Sequence, residues 1–276
     1  AAAAVAVLGI NLIIGTAVNG SKNWIIIGPI SIQPSEFVKI ALILVGTSTL
    51  ARLQTTKNLT EFIGFSAVCV GALFLMSDFG TACIFFLTFL IIAFIRSGDV
   101  RTIIFIVAAA CLGAFLILQF KPYIADRFAV WGHAWEYLND TGYQQARVMS
   151  YAASGGLFGV GLGLGAPRVI PVYFTDCIFA VICEQFGIIF GVLVLVMYVI
   201  LILRGSSIAV SARHSFHGLL AMGATSMLGI QTFVIIGGVL KLIPLTGVTM
   251  PFVSYGGTSM VSCMGLIGLL QGVASV

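Results

Sequence analysis

The sequence predicts an all-α, polytopic integral membrane protein with about eight transmembrane helices in this chain. Three observations predict it: 60% of the 276 residues are hydrophobic and 8% charged, the apolar residues fall into separate long runs, and basic residues gather in alternate short loops. A soluble domain carries about 25% charged residues, and the polar groups present here could not cover a water-facing surface. Mean hydropathy is +1.15. Thirty-two glycines suit helices packed closely in lipid, where small residues let backbones approach. The net charge of +4 is small, and the placement of the charges says more than their sum.

A span needs about 20 mostly apolar residues. Candidate runs are 2–18, 36–52, 61–77, 80–96, 102–119, 178–203, 216–238 and 255–276. Arg52 and Lys57 lie between the second and third, Arg96 and Arg101 between the fourth and fifth, Arg204 and Arg213 between the sixth and seventh. With alternating spans all three loops fall on one side, which the positive-inside rule assigns to the cytoplasm. The opposite side receives 19–35, the turn at Ser77-Asp78, the long segment 120–177 and 239–254, with most of the acids: Glu36, Asp78, Asp126, Glu136, Asp140 and Asp176. The chain opens on Ala1-Ala2-Ala3-Ala4 without a methionine and reads as a fragment whose N-terminus lies upstream. The whole of 1–276 is expected to form one membrane domain, with 120–177 as a large extracytoplasmic segment inside it.

Within that segment Trp131, Trp135 and Leu138 recur at helical spacing beside Tyr137, with Arg127, Glu136 and Asp140 around them. This predicts an amphipathic helix at the interface, where indole rings are favoured. The stretch Ser154-Gly155-Gly156-Leu157-Phe158-Gly159-Val160-Gly161-Leu162-Gly163-Leu164-Gly165 is too short and glycine-rich for an ordinary span. It reads as a re-entrant turn lining a cavity, against the plainer alternative of a surface loop. The six cysteines form no CxxC pair and histidine is scarce, so buried free thiols are expected rather than zinc or a disulfide framework.

Ionisable residues at the edges of apolar spans are expensive and are functional candidates. Gln33-Pro34-Ser35-Glu36 opens a helix, where Ser35 and Glu36 can satisfy free N–H groups. Lys39 follows one turn later on the face of Glu36, as a structural ion pair or a cation held for an anionic head group. Asp78 caps a helix in the plain reading. Asp176 stands at the entrance of a span with Glu184 deeper on nearly the same face; capping and a buried, paired or protonated acid are the plain readings. The prolines and hydroxyls between Pro244 and Ser259, with Ser254, Tyr255, Thr258 and Ser259, suit a broken, cavity-lining segment. No phosphate loop, serine-nucleophile elbow or histidine metal motif occurs, and nothing suggests nucleic acid.

Taken together the motifs resemble the SEDS family, whose members include RodA and FtsW. Gln33-Pro34-Ser35-Glu36 with Lys39 is similar to its QPSE…K signature, and Met76-Ser77-Asp78-Phe79-Gly80-Thr81 to its QPDLGT turn. Gly142-Tyr143-Gln144 and Ser154 through Gly159 resemble its GYQ…GGLFG segment. Thr175-Asp176 with Ile178-Phe179-Ala180 and Glu184-x-Phe186-Gly187 resembles HTDFIFA…EE-G, and Pro244 through Ser259 resembles LPVTGVPLPFVSYGGSS. Val172 and Phe174 stand where the family usually carries Glu and His, and Arg147 replaces a usual glutamine.

The resemblance implies a ten-helix fold with its first two helices outside this chain. It implies polymerisation of lipid II on the extracytoplasmic face of the bacterial cytoplasmic membrane, alongside a class B penicillin-binding protein. Asp176 takes the place of the catalytic aspartate, as general base. The diphosphate leaving group calls for positive charge from Lys39, then Arg168, or from a divalent cation (Mg or Mn) shared by Glu36 and Asp78. Ser254, Tyr255, Thr258 and Ser259 complete the expected substrate-binding set. A lipid II transporter and a non-catalytic scaffold for a penicillin-binding protein are the competing readings.

Overall fold

The computed structural model describes residues 1–18, 21–28, 30–51, 56–98, 100–120, 130–131, 133–137 and 142–276. Arg52, Asp126, Arg127, Leu138 and Asp140 lie outside the described residues, as does the side chain of Lys57. Among the described residues the helices are α1 Ala2–Ile14, α2 Pro34–Leu50, α3 Thr56–Leu75, α4 Phe79–Ser97, α5 Val100–Phe120, α6 Tyr143–Ser154, α7 Ile178–Ser211, α8 Ser215–Val239 and α9 Gly257–Ala274. Strands β1 Thr16–Val18, β2 Ser21–Ile27 and β3 Ile30–Ile32 precede α2, and a 3-10 turn spans Pro167–Val169. Each of the eight expected apolar runs carries a helix. Among the described residues, stretches of α3, α4, α7, α8 and α9 are long and apolar enough to cross a membrane.

The chain forms two compact units, one of residues 1–111, 201–230 and 257–276, the other of residues 112–200 and 231–256.

In the first unit the apolar run starting at residue 2 ends sooner than its hydropathy suggests. A Cβ on Gly15 would lie 2.4 Å from the Asn11 carbonyl oxygen, and there the chain leaves α1 with ψ 142°. It enters a three-stranded antiparallel sheet of order β1-β2-β3, a feature the apolar pattern did not predict. Val18 pairs with Ser21, and the sequence between them, Asn-Gly, is a strong short-hairpin signal. β2 is fastened to the turn between α3 and α4: the Lys22 amide donates to the Met76 carbonyl at 2.9 Å and the Ser21 hydroxyl to the Ser77 carbonyl at 2.8 Å.

Local signals start and stop these helices. Pro34 occupies the first turn of α2, where its missing N–H is no loss. Asp78 caps α4 by accepting from the Thr81 amide, and Gly98 ends it in the left-handed conformation at φ 62°. Arg96, in the last turn of α4, donates from Nε to the Leu50 carbonyl at 2.7 Å, where α2 ends. This places a cation at the negative end of a helix dipole. Small residues allow close packing: a Cβ on Gly46 would lie 2.5 Å from the Phe62 ring, which sits 5.1 Å from that of Phe89.

The second unit is organised by a break in α7. Gly187 has φ 82° and ψ 171°, so the helix cannot continue its own hydrogen bonding there. The glycine-rich loop after α6 supplies the missing partners. Val160 and Gly161 amides donate to the Glu184 and Gln185 carbonyls at 2.9 and 3.1 Å, while Ile188 and Ile189 amides donate to the Gly156 and Leu157 carbonyls at 3.0 and 3.4 Å. In an unbroken helix the amides of 188 and 189 would bond the carbonyls of 184 and 185; the loop stands between the two sets and satisfies both. Its backbone is therefore tied to a helix interior, and it is not a plain surface loop. Leu157, Phe158, Leu162 and Leu164 remain exposed. Close approach demands glycine: a Cβ on Gly155 would lie 2.0 Å from the Cys183 carbonyl oxygen, and one on Gly159 2.2 Å from that of Gln185.

Of the expected interfacial helix, the described residues after Val130 close in tighter turns. Residue 131 and residues 133–137 form turns, with the His133 amide bonded to the Val130 carbonyl and the Glu136 amide to that of His133. Such i to i+3 closure is tighter than an α-helix. Trp131 and Trp135 are half exposed, as an interfacial role requires. Trp131 donates to the Lys241 carbonyl at 2.9 Å, and the Lys241 ammonium lies 5.9 Å from the Trp135 ring centre. All six cysteines are free; Cys111 is exposed and Cys83 half-buried, while the other four are buried as expected.

Replacing Gly187 with alanine forces a side chain into the left-handed region and within 2.2 Å of the Leu157 carbonyl oxygen. Backbone strain alone costs about 1–3 kcal/mol. Thermal unfolding in detergent is expected to fall by roughly 5 °C or more for Gly187→Ala. Gly268→Ala, where a Cβ meets nothing within 4 Å, is expected to leave it unchanged or raise it.

Candidate functional site

The sequence-predicted site residues divide between the two units. Glu36, Lys39, Asp78, Thr258 and Ser259 belong to the first; Arg168, Asp176, Ser254 and Tyr255 to the second.

In the first unit Pro34 starts α2 so that Glu36 and Lys39 share a face one turn in. Lys39 Nζ and Glu36 Oε2 are 2.5 Å apart, with side chains 1% and 4% exposed. The Ser262 hydroxyl, from α9, donates to the same carboxylate oxygen at 2.7 Å. Glu36 is therefore not the N-terminal cap its position suggested: no side chain caps α2, and the carboxylate turns inward instead. A buried pair of this kind needs good geometry and an added hydrogen bond to offset desolvation, and Ser262 supplies that bond. Ser259, one turn before Ser262, is buried, and Thr258 is half-buried at the start of α9.

Asp78 is held by donors on both oxygens. Oδ1 accepts from the Thr81 amide at 3.2 Å; Oδ2 accepts from Asn23 Nδ2 at 2.9 Å and Gln33 Nε2 at 3.4 Å. The carboxylate thus joins the sheet, the head of α2 and the start of α4. Ser262 and Asn23 carried no recognised signal in the sequence. These donor sets do not fit the shared divalent cation expected from the resemblance: both Asp78 oxygens and Glu36 Oε2 already accept hydrogen bonds or face an ammonium. Among the described residues no group of three or more His, Cys, Asp or Glu side chains is arranged to hold a metal ion.

In the second unit Asp176 is half-buried on the turn that leads into α7. That turn is strained. Val172 has φ 54°, a conformation costly for a β-branched residue, and its carbonyl accepts from the Thr175 amide and hydroxyl, each at 3.2 Å. Neighbouring segments keep it in place. The buried Ser254 hydroxyl donates to the Thr175 carbonyl at 2.6 Å and accepts from the Met250 amide at 2.7 Å. The Tyr255 amide donates to the Phe174 carbonyl at 2.9 Å, and the two rings meet edge to face at 5.7 Å. Gln144 Nε2 reaches the Pro171 carbonyl at 3.2 Å and the Cys177 sulfur at 3.5 Å. The residues on both sides of Asp176 are thus fixed by α6 and by the segment before α9.

Ser254 and the Tyr255 backbone act here as positioning groups, while the Tyr255 side chain is 76% exposed. Burial, with the Asp176 carboxylate adding to it, pushes the Cys177 thiol up to about 12; it stays protonated and is no nucleophile. Arg168 is exposed on the 3-10 turn. Glu184 is buried, Oε1 accepting from the Ala166 amide at 2.9 Å, so the acid below Asp176 anchors the end of the glycine loop. Arg147 lies over the Tyr143 ring at 5.2 Å.

Comparison with known proteins follows the same line. The family profile described as Cell cycle protein, covering FtsW, RodA and SpoVE, matches residues 2–276. Stage V sporulation protein E of Bacillus subtilis is 34% identical over 272 residues, 95% of this chain and 73% of that protein. Peptidoglycan glycosyltransferase RodA of Mycobacterium tuberculosis is 32% identical over 275 residues, covering 93% of this chain but 58% of its own length. Among solved structures, a chain of a peptidoglycan synthase complex superposes with TM-score 0.81 at 26% identity, covering 99% of this chain and 79% of that one. Thermus thermophilus RodA superposes with TM-score 0.70 at 23% identity, over 99% of this chain and 76% of that one, which bears on the fold.

Breaking the buried pair from one side is expected to cost about 3–5 kcal/mol, because the remaining charge is left uncompensated. Lys39→Met is therefore expected to lower thermal stability in detergent more than the double variant Glu36→Gln, Lys39→Met. Equal losses in the two proteins contradict a coupled pair.

Proposed function

The chain belongs to the FtsW/RodA/SpoVE family, the SEDS family of the motif comparison, and we propose on that footing that it is a peptidoglycan glycosyltransferase. It polymerises lipid II at the extracytoplasmic face of the bacterial cytoplasmic membrane, with a class B penicillin-binding protein as partner. The observation that carries this reading is Asp176, held on a strained turn by Ser254 and Tyr255 at the head of α7. The only catalytic demand such a site must meet from its own side chains is a placed base and a place for negative charge.

The chemistry follows from that demand. Asp176 accepts the proton of the acceptor sugar hydroxyl as its oxygen forms a bond to the donor's anomeric carbon. The bond from that carbon to the diphosphate breaks, and the lipid diphosphate leaves with the electron pair. General-base assistance is worth about 10²–10⁴-fold. Positive charge for the diphosphate comes most directly from Arg168, which is exposed and belongs to the same unit as Asp176. Lys39 serves only if its pair with Glu36 opens, since the two charges otherwise cancel. Thr258 and Ser259 are assigned to substrate on the resemblance alone.

Full-length protein purified with its class B partner is expected to convert lipid II to glycan polymer, while the partner alone does not. Absence of polymer with every cognate partner overturns the enzyme reading in favour of a scaffold. Ser254→Ala is expected to lower kcat by roughly tenfold with KM little changed, since a lost hydrogen bond of about 1–1.5 kcal/mol loosens the turn that aims Asp176. A rise in KM at constant kcat contradicts that positioning role.

A further inference from the structure

The first unit holds a cavity of about 320 Å³ where α7 ends, α8 begins and α9 ends. That volume is within the range of ligand sites. Arg204, Ser207 and Ser211 line it from α7, Arg213 from the connection into α8 and His217 from the first turn of α8, while Val273 of α9 gives it an apolar wall. Positions 204, 207 and 211 are spaced three and four apart, so one stripe of the helix supplies a guanidinium and two hydroxyls. Among the described residues no Asp or Glu side chain lines the cavity, and neither arginine has an acidic side chain within ion-pair distance. The His214 and His217 rings meet at 5.8 Å beside it.

The depth of this cavity follows from helix length. The part of α7 after its break at Gly187, from Ile188 to Ser211, is itself longer than the about 20 residues that span the hydrocarbon core, so its last turn extends beyond the core on the side of the arginine-bearing loops. Leu203 and Val210, on the flank of the stripe and outside the cavity lining, are 64% and 81% exposed. An apolar flank suited to acyl chains therefore adjoins a stripe that gathers cations and hydroxyls. Such a boundary between apolar and basic surface lies at head-group level.

We propose that this cavity binds a phosphate group, and specifically the phosphate of an anionic phospholipid head group from the leaflet that faces the arginine-rich loops. Arginine forks match phosphate oxygens with paired N–H donors, and basic pockets between membrane helices on the cytoplasmic side hold anionic head groups in this way. The serine hydroxyls and His217 complete the donor set, and Val273 lies against the glycerol and upper acyl carbons. A free phosphate-bearing solute offers the same oxygens, and the experiment separates the two sources.

The full-length protein is reconstituted in phosphatidylcholine nanodiscs with or without phosphatidylglycerol, and the lipids retained on release are counted by native mass spectrometry. Wild type and Arg101→Gln, which changes an exposed arginine elsewhere, are expected to retain phosphatidylglycerol over phosphatidylcholine. Arg204→Gln, Arg213→Gln is expected to lose that preference by roughly tenfold or more, while remaining monodisperse on size exclusion. A second arm adds inorganic phosphate to protein in phosphatidylcholine alone: saturable binding there that the double variant abolishes assigns the site to a soluble phosphate and overturns the lipid assignment. Equal phosphatidylglycerol retention by wild type and the double variant overturns the proposal outright.

Discussion

A backbone placed among apolar segments must satisfy its own hydrogen bonds, and the second unit of this protein depends on how that is done at Gly187. The break there would leave two carbonyls and two amides without helical partners. The glycine-rich loop accepts from one set and donates to the other. An unpaired buried peptide group costs several kcal/mol in an apolar medium, so loop and kink stabilise one another and neither is stable alone. Glu184 sits one turn before the break and holds the loop's far end through the Ala166 amide. The same stretch of α7 begins beside Asp176, so the geometry of the proposed base rests on a continuous chain of backbone contacts.

The first unit solves a different problem, that of charge in an apolar setting. Lys39 and Glu36 are buried together and tied by Ser262, while Asp78 is surrounded by neutral N–H donors. Each charged group is matched before any substrate arrives. This arrangement stiffens the head of α2 and the start of α4. It also makes Lys39 a costly group to recruit for binding a diphosphate, because opening the pair exposes an acid to the same surroundings. The exposed Arg168 carries no such cost.

Much of this was legible in the residues. Long apolar runs placed the helices because lipid demands them, and Lys39 three residues after Glu36 announced an ion pair on one helix face. Asp78 read as a cap and is one. The sheet after α1 escaped notice because β1 and β3 are three residues each and β2 mixes Ser21, Lys22 and Asn23 with an apolar end, so 19–35 read as a loop, although Asn19-Gly20 in the sequence was a hairpin signal. Ser262 and Asn23 could not be read, since nothing in the local sequence ties them to acids 226 and 55 positions away. The role of Ser254 was half legible: its hydroxyl stood out as one of a substrate-facing set, but its bond to the backbone beside Asp176 joins segments 79 positions apart and had no local signal. The glycine-rich loop was readable as irregular, but its pairing with Gly187 depends on two segments whose match appears only in three dimensions.

The central claim is that Asp176 takes the acceptor's proton during polymerisation. The most direct measurement is the single-turnover rate of lipid II coupling by full-length protein with its partner, for wild type and Asp176→Asn, with thermal unfolding compared for both. The account predicts a fall of about 10²–10⁴-fold with unfolding unchanged. An undiminished rate in the folded variant would contradict it.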